Sequence, residues 1–142
     1  MTDNIEVHDG LYDTDHATKS AATIKECKPD IVGLQEVHDH TWQVRFRNQF
    51  EEIRRLTGMN GFYGRSYHSL GGDFGNAILP RGAIVSAVVH PLPSVGEPHS
   101  VLESVIRIDG PTIHVYADPL TPCAPVYAAT PGGEPHFMPS AV

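Results

Sequence analysis

Glu36 is the residue of this sequence best placed to do chemistry. It follows the apolar run at residues 31–34, which suits a buried strand, so its carboxylate is expected where that strand ends. A carboxylate at the mouth of a sheet is the kind of oxygen ligand that Mg²⁺ takes. Position alone favours the plainer interpretation, an ordinary solvated acid at a strand end.

Two histidines follow Glu36 in the segment His38-Asp39-His40. If this segment were extended, His38 and His40 would share a face, as a pair of metal ligands does. A solvated loop is the favoured interpretation of the segment.

The elements that must position these residues follow from the patterning. The sequence predicts a helix from Asp13 or Thr14 to Lys28, ended by Pro29, and then a buried strand over residues 30–35. It predicts a second helix over residues 42–57, capped by Thr41 and ended by Gly58. The apolar face of that helix is expected to contain Phe46, Phe50, Ile53 and Leu56.

The rest of the chain up to residue 118 has the signals of strands. Residues 62–67 and 74–79 flank Leu-Gly-Gly-Asp and predict a hairpin, residues 83–90 are rich in β-branched side chains, and 101–108 and 112–117 flank Asp-Gly-Pro. The order predicts an α/β fold with a mixed, mainly antiparallel sheet and helices on one face. The other face is expected to be left bare along residues 83–89 and 101–108.

Six of the twelve prolines lie from residue 119 onward. Because proline lacks a backbone donor, this density predicts an irregular tail without regular secondary structure over residues 119–142. The expected organisation is a domain over residues 1–118 followed by that tail.

The composition narrows the class of protein. In 142 residues, 17 acids against 10 bases give a formal charge of −7, which argues against a general nucleic-acid binder, since such proteins neutralise phosphates with a basic face. The sequence shows no transmembrane run and no signal peptide, so a cytoplasmic location is expected by default.

Several motifs resemble the endonuclease/exonuclease/phosphatase (DNase I-like) superfamily. Residues 28–37 (Lys-Pro-Asp-Ile-Val-Gly-Leu-Gln-Glu-Val) resemble its second-strand motif, and residues 71–79 (Gly-Gly-Asp-Phe-Gly-Asn-Ala-Ile-Leu) resemble its hairpin. Residues 2–5 resemble its opening strand, and the pairs Glu97-Pro98 and His90-Pro91 fall in matching order. The resemblance covers roughly residues 2–120 and implies half of a four-layer sandwich.

The resemblance implies divalent-metal-dependent phosphoester hydrolysis, with Mg²⁺ or Mn²⁺ as cofactor. It assigns a metal-ligand role to Glu36 and a supporting role beside the metal and phosphate to Asn4, for which a cap or turn near the terminus is an equal alternative. Asn76 matches a family position for which we predict substrate binding, although a structural role in a turn or towards a neighbouring strand is the favoured alternative. The resemblance gives His38 and His40 no ligand role.

The departures from the family pattern concern catalysis. The Gly-Asp-x-Asn and Ser-Asp-His motifs, to which the resemblance assigns water activation and acid–base work, do not occur in the sequence. Pro119 stands where the family has a histidine, and His99 where it often has an arginine. We therefore expect an incomplete enzyme, weakly active or inactive as this chain.

Two hypotheses of different class remain open. The first is the metal-dependent phosphoesterase, and the second is a non-catalytic half-domain that serves as a binding or interaction module. The acidic balance favours a small phosphate ester or phospholipid headgroup over bulk DNA as the substrate. A bare sheet face predicts self-association.

Overall fold

The structure, a computed structural model, describes residues 1–5, 16–93, 97–118, 126–129 and 136–138. The helices are α1 (His16–Cys27) and α2 (Gln49–Thr57), with a 3₁₀ turn at Trp42–Val44 between them. The strands are β1 (Thr2–Asn4), β2 (Ile31–Asp39), β3 (Phe62–Ser69), β4 (Gly72–Pro80), β5 (Ala83–Leu92), β6 (His99–Arg107), β7 (Thr112–Ala117), β8 (Val126–Ala129) and β9 (His136–Met138).

The strands form two sheets rather than one. The first sheet has the order β1-β2-β4-β3 and the second has the order β5-β6-β7-β8-β9. β1 pairs with β2 in parallel, and the other pairings are antiparallel. The predicted α/β class with mainly antiparallel pairing is confirmed.

The alternation of apolar residues along β2 and β4 explains the layering. Val32, Leu34, Ala77 and Leu79 pack against the two helices, whereas Ile31 and Ile78 belong to a second cluster with β6 and β7. That cluster includes Leu102, Ile106 and Val115, so the second sheet lies against the first. The helices lie on one face of the first sheet, as predicted, and the second sheet covers its other face. The expectation of a bare face along residues 83–89 and 101–108 is therefore wrong for the side of these strands that packs on the first sheet.

The second helix begins later than predicted. Asn48 caps α2 by accepting a hydrogen bond from the Glu51 amide, at 2.7 Å. Arg45 and Phe46 have left-handed backbone angles, with φ of 53° and 58°, and therefore interrupt the helix that the apolar spacing predicted. The prediction that Phe46 lies on the core face is wrong, since this side chain is 61% exposed. The predicted end at Gly58 is confirmed by its left-handed φ of 70°.

The predicted tail contains two strands. β8 pairs with β7 and β9 pairs with β8, both antiparallel, which extends the second sheet. The prediction of no regular secondary structure is therefore wrong for residues 126–129 and 136–138. Spacing explains the outcome, because no proline falls inside either segment and each is long enough for a short strand. The other tail residues lie outside the described ranges, and the domain boundary after residue 118 stays a prediction.

No helix in the described ranges is long and apolar enough to cross a membrane.

Candidate functional site

Glu36 lies at an irregularity in β2. The pairing of β2 with β4 shifts between Leu34 and Val37, so two residues, Gln35 and Glu36, lie opposite Asn76 alone. Glu36 itself has a left-handed φ of 58°. Such a bulge redirects a side chain that the regular alternation of the strand would place elsewhere. Gln35 is buried and Glu36 is partly exposed.

The neighbouring parallel strand places Asn4 beside Glu36. Asn4 is in register with Gln35, and its Nδ2 donates a hydrogen bond of 2.9 Å to Glu36 Oε1. The two predicted site residues are therefore in contact although 32 positions separate them in the sequence. An amide that donates to one carboxylate oxygen restricts the rotation of that carboxylate.

Glu36 also lines a cavity of about 290 Å³. The cavity lies where β2, the β3–β4 hairpin and the start of β6 approach one another. Its lining residues are Glu36, His38, Thr41, Gln43, Tyr67, Ser69, Leu70, Phe74, Glu97 and His99. Glu36 and Glu97 make the lining acidic, and Tyr67 and Phe74 form an aromatic side with ring centroids 5.2 Å apart.

His38 is a buried member of this lining. Its backbone amide donates to Gln49 Oε1 at 2.9 Å, and its ring stands edge-on to Phe74 with centroids 4.9 Å apart. Its Nδ1 lies 2.9 Å from Thr41 Oγ1. Burial lowers the pKa of His38 to about 4, so the ring is neutral at pH 7.

Tyr67 lines the cavity together with the two carboxylates, Glu36 and Glu97. Burial raises its pKa to about 12, and the charge of Glu97, a hydrogen bond to Glu97 and the charge of Glu36 act in the same direction. The phenol therefore keeps its proton at neutral pH.

Asn76 lies between the two sheets rather than in the cavity lining. Its side chain is 1% exposed, and Nδ2 donates to the backbone carbonyl of Ser100 at 3.0 Å. This contact is structural, as one of the two interpretations of the sequence had it. Substrate binding by Asn76 stays a prediction.

The segment after Glu36 differs from its sequence interpretation. β2 continues through Asp39, so the favoured solvated loop is wrong for His38, which is 4% exposed. His40, in contrast, is exposed. The described residues contain no group of three His, Cys, Asp or Glu side chains arranged to hold a metal ion.

Sequence reasoning assigned no role in the site to His38, Tyr67 or Glu97. The pair Glu97-Pro98 falls in the family order, and this is the signal in the sequence for Glu97. No such signal exists for Tyr67, since its place at the cavity depends on the pairing of the β3–β4 hairpin beside β2. For His38, the strand was predicted to end at residue 35, and so the alternation of faces beyond that point was not followed.

Solved structures with the same fold come from several organisms. An endonuclease/exonuclease/phosphatase from Beutenbergia cavernae has a TM-score of 0.60 at 22% identity, over 71% of this chain and 32% of that chain. A family protein from Leptotrichia buccalis has a TM-score of 0.61 at 16% identity, over 84% and 54%. TDP2 of D. rerio, complexed with single strand DNA product, has a TM-score of 0.60 at 20% identity, over 81% and 42%. At these identities the likeness shows the fold, and the chain spans between a third and about half of their lengths.

The sequence itself matches a family profile. No curated protein matches it. The profile described as Endonuclease/Exonuclease/phosphatase family matches residues 4–139, which includes β8, β9 and the predicted tail between them. This match spans nearly the whole chain, and the chain therefore belongs to the endonuclease/exonuclease/phosphatase family.

Proposed function

We propose that this chain carries the metal-holding part of a divalent-metal-dependent phosphoester hydrolase site, with Glu36 as the carboxylate ligand and Asn4 in support. The observation that carries the proposal is the hydrogen bond of 2.9 Å between Asn4 Nδ2 and Glu36 Oε1, beside a cavity large enough for a phosphate group. An exposed acid at a strand end has no need of a bulge, a left-handed backbone and an amide from another strand.

The donor set suits Mg²⁺ or Mn²⁺. Mg²⁺ is usually held by one or two carboxylates and keeps several waters, together with oxygens of a substrate phosphate. Glu36 supplies one carboxylate, and Glu97 lies in the same lining. The absence of a three-residue His, Cys, Asp or Glu cluster among the described residues fits weak, carboxylate-based binding rather than a zinc centre.

When bound, such a cation offsets negative charge on phosphoryl oxygens and on the leaving group. The residues of the chain then have separate tasks. Asn4 holds the orientation of the Glu36 carboxylate, and Tyr67, which keeps its proton, lies in the same lining as Glu97. Because Gly-Asp-x-Asn and Ser-Asp-His are absent from the sequence, we propose that this chain by itself turns over substrate weakly or not at all.

The substrate class we propose is a small phosphate ester or a phospholipid headgroup rather than bulk DNA. The formal charge of −7 supports it, because an acidic chain has few cations to neutralise the many phosphates of a DNA backbone. The likeness to TDP2 with single strand DNA product does not favour either class.

Metal binding tests the proposal directly. Mn²⁺ titration followed by electron paramagnetic resonance should give one weak site in the unchanged chain, and Glu36→Gln should weaken it at least about 10-fold. The matched control is Glu26→Gln, which removes an exposed helical carboxylate and should leave binding unchanged. Equal Mn²⁺ affinity in the Glu36→Gln variant and the unchanged chain contradicts the proposal.

Turnover tests its second part. With Mg²⁺ or Mn²⁺, the chain should hydrolyse bis-p-nitrophenyl phosphate, DNA and sphingomyelin no faster than Glu36→Ala. Each missing acid–base group lowers the rate by about 10²-fold or more, so the absence of two of them should leave no turnover above the Glu36→Ala background. Clear turnover that disappears in Glu36→Ala would overturn the expected inactivity while supporting the role of Glu36.

A binding or interaction module is the second candidate, and the outer face of the second sheet favours it. This face contains Val88, which lies opposite Glu103, together with Val101 and Val105, and Val88 is 49% exposed. Exposed apolar residues on a sheet face favour association with another chain. We propose self-association through it, and a cytoplasmic location stays a prediction.

A further inference from the structure

We propose that His38 presents its Nε2–H as a fixed hydrogen-bond donor to a phosphoryl oxygen of the ligand in the cavity, and that Thr41 selects the ring tautomer that makes this possible. The identity of the ligand rests on the proposed function. The tautomer does not, since it follows from contacts within the chain.

The contact between His38 and Thr41 is enclosed. Nδ1 of His38 and Oγ1 of Thr41 are 2.9 Å apart, and Thr41 is 0% exposed. Within the described ranges, Thr41 Oγ1 has this single hydrogen-bond partner. Because Thr41 is not exposed to solvent, the direction of this one bond determines whether the hydroxyl proton has an acceptor.

Two arrangements of the bond are possible, and their costs differ. If Nδ1–H donated to Oγ1, the hydroxyl proton would have no acceptor, and a buried donor left unpaired is costly. If Oγ1–H donates to Nδ1, both groups are satisfied. The second arrangement leaves the proton of the neutral ring on Nε2.

Nε2 is therefore the end of the ring that meets the ligand. It makes no hydrogen bond to another described residue, and it is not among the fully enclosed polar atoms. His38 lines the cavity that Glu36 lines. A neutral N–H donor at this place fits an acceptor oxygen and disfavours a metal ion, which needs a ring nitrogen with a free lone pair.

The position of Thr41 is held by the hairpin between β3 and β4. A Cβ added to Gly72 would lie 2.3 to 2.5 Å from the backbone of residues 39–41. Trp42 N donates to Leu70 O at 3.0 Å across the same contact. The two loops thus pack backbone against backbone, which fixes Thr41 relative to the His38 ring.

The first experiment reads the tautomer in the unchanged chain. Long-range ¹H–¹⁵N correlation spectra at neutral pH should show Nδ1 of His38 as an unprotonated nitrogen and Nε2 as a protonated one. Thr41→Ser should preserve this pattern, whereas Thr41→Val should lose it. Exposed His40 serves as the internal control and should respond to neither variant. A proton on Nδ1 in the unchanged chain overturns the proposal.

The second experiment reads the ligand. Inorganic phosphate added with saturating Mg²⁺ should shift the Nε2 resonance of His38, and His38→Phe should weaken phosphate binding about 10-fold in calorimetry. His38→Gln, which keeps an N–H donor, should recover part of the affinity, and His40→Phe should change nothing. An unmoved Nε2 at saturation, or no phosphate binding at all, overturns the ligand assignment. Failure of the proposed function shows separately, as Mn²⁺ binding that Glu36→Gln leaves unchanged.

Discussion

The first sheet is covered on both faces, whereas the second sheet has an exposed outer face. Both carry a carboxylate with nearby polar partners. Glu36, in the first sheet, lies on a bulge beside a cavity. Glu103, in the second, lies in regular pairing and accepts from His90 Nε2 at 2.7 Å, His114 Nδ1 at 3.1 Å and Tyr116 at 3.1 Å.

Whether a sheet face is covered changes how much a polar contact contributes to stability. Between two covered faces, a polar group has lost its water, so its protonation and hydrogen bonding depend on folding. On an exposed face, water competes for the same contacts and their net contribution is small. Polar substitutions and pH should therefore matter more in the first sheet than in the second.

The free energy of unfolding should change most through His38, when the pH is lowered. Its pKa is about 4 in the folded chain against 6.5 for the free group, so the unfolded chain binds more protons between these values. Stability should therefore fall as pH drops from about 6.5 to about 4, by about 3 kcal/mol from this group. Urea unfolding at a series of pH values measures it.

The matched variants for this prediction are His38→Gln and His40→Gln. The first should lose this part of the pH dependence, while the second, which changes an exposed histidine, should retain it. The same slope in all three proteins would show that the ring of His38 is not dehydrated in the folded chain.

A smaller effect is expected between the two sheets, at Asn76. Asn76→Ala should destabilise the chain by about 2 kcal/mol, because it leaves the buried Ser100 carbonyl without its donor. Asn60→Ala removes the same kind of bond, from Nδ2 to the Gly82 carbonyl at 2.9 Å, in an exposed place. Asn60→Ala should lower the free energy of unfolding by less than about 1 kcal/mol. Equal losses for the two variants in urea unfolding would contradict the expected difference between covered and exposed contacts.

On the exposed face, Glu103→Gln should change stability by less than about 1 kcal/mol at pH 7. Hydrogen bonds from His90 and then His114 lower the pKa of the Glu103 carboxyl. Its contribution is therefore present above its ordinary pKa and is lost as pH falls through the lowered value. A loss as large as that of Asn76→Ala would contradict the comparison.

The smallest effect on stability is expected for Val88→Lys, which should instead reduce self-association. A charge placed on the outer face disfavours contact between two copies. Sedimentation velocity at several concentrations should show the unchanged chain associating and this variant less so. Leu70→Lys, at a 44% exposed residue away from that face, is the control. If the unchanged chain stays monomeric at all these concentrations, self-association through this sheet is ruled out.

Much of the fold was predictable, because local patterns carry it. The hairpin around residues 70–73 and the strand pair around the Asp-Gly-Pro turn depend on turn residues and alternation within a few positions. The second helix was predicted too long, because its local apolar spacing continues beyond the residues that are helical in the structure. Apolar spacing favoured residues 42–57, but the left-handed backbone at Arg45 and Phe46 delays the helix until Asn48 caps it.

The candidate site was predictable in part. Glu36 and Asn4 were assigned from motifs, and their contact agrees with the parallel pairing of β1 and β2. His38 and Tyr67 were missed, because nothing in their local sequence shows which surface a neighbouring hairpin will cover.

The class of fold, the order of most elements and the two residues proposed for the site follow from the sequence, since periodicity, turns and motifs act over short distances. The tertiary structure alone decided that the strands divide into two sheets, that the bulge points Glu36 to the cavity, and that Thr41 is used by His38 instead of capping a helix. These outcomes depend on contacts between distant segments. Their physical cause is burial, because a polar group that has lost its water must form its hydrogen bond with a group that the fold brings near it from another segment.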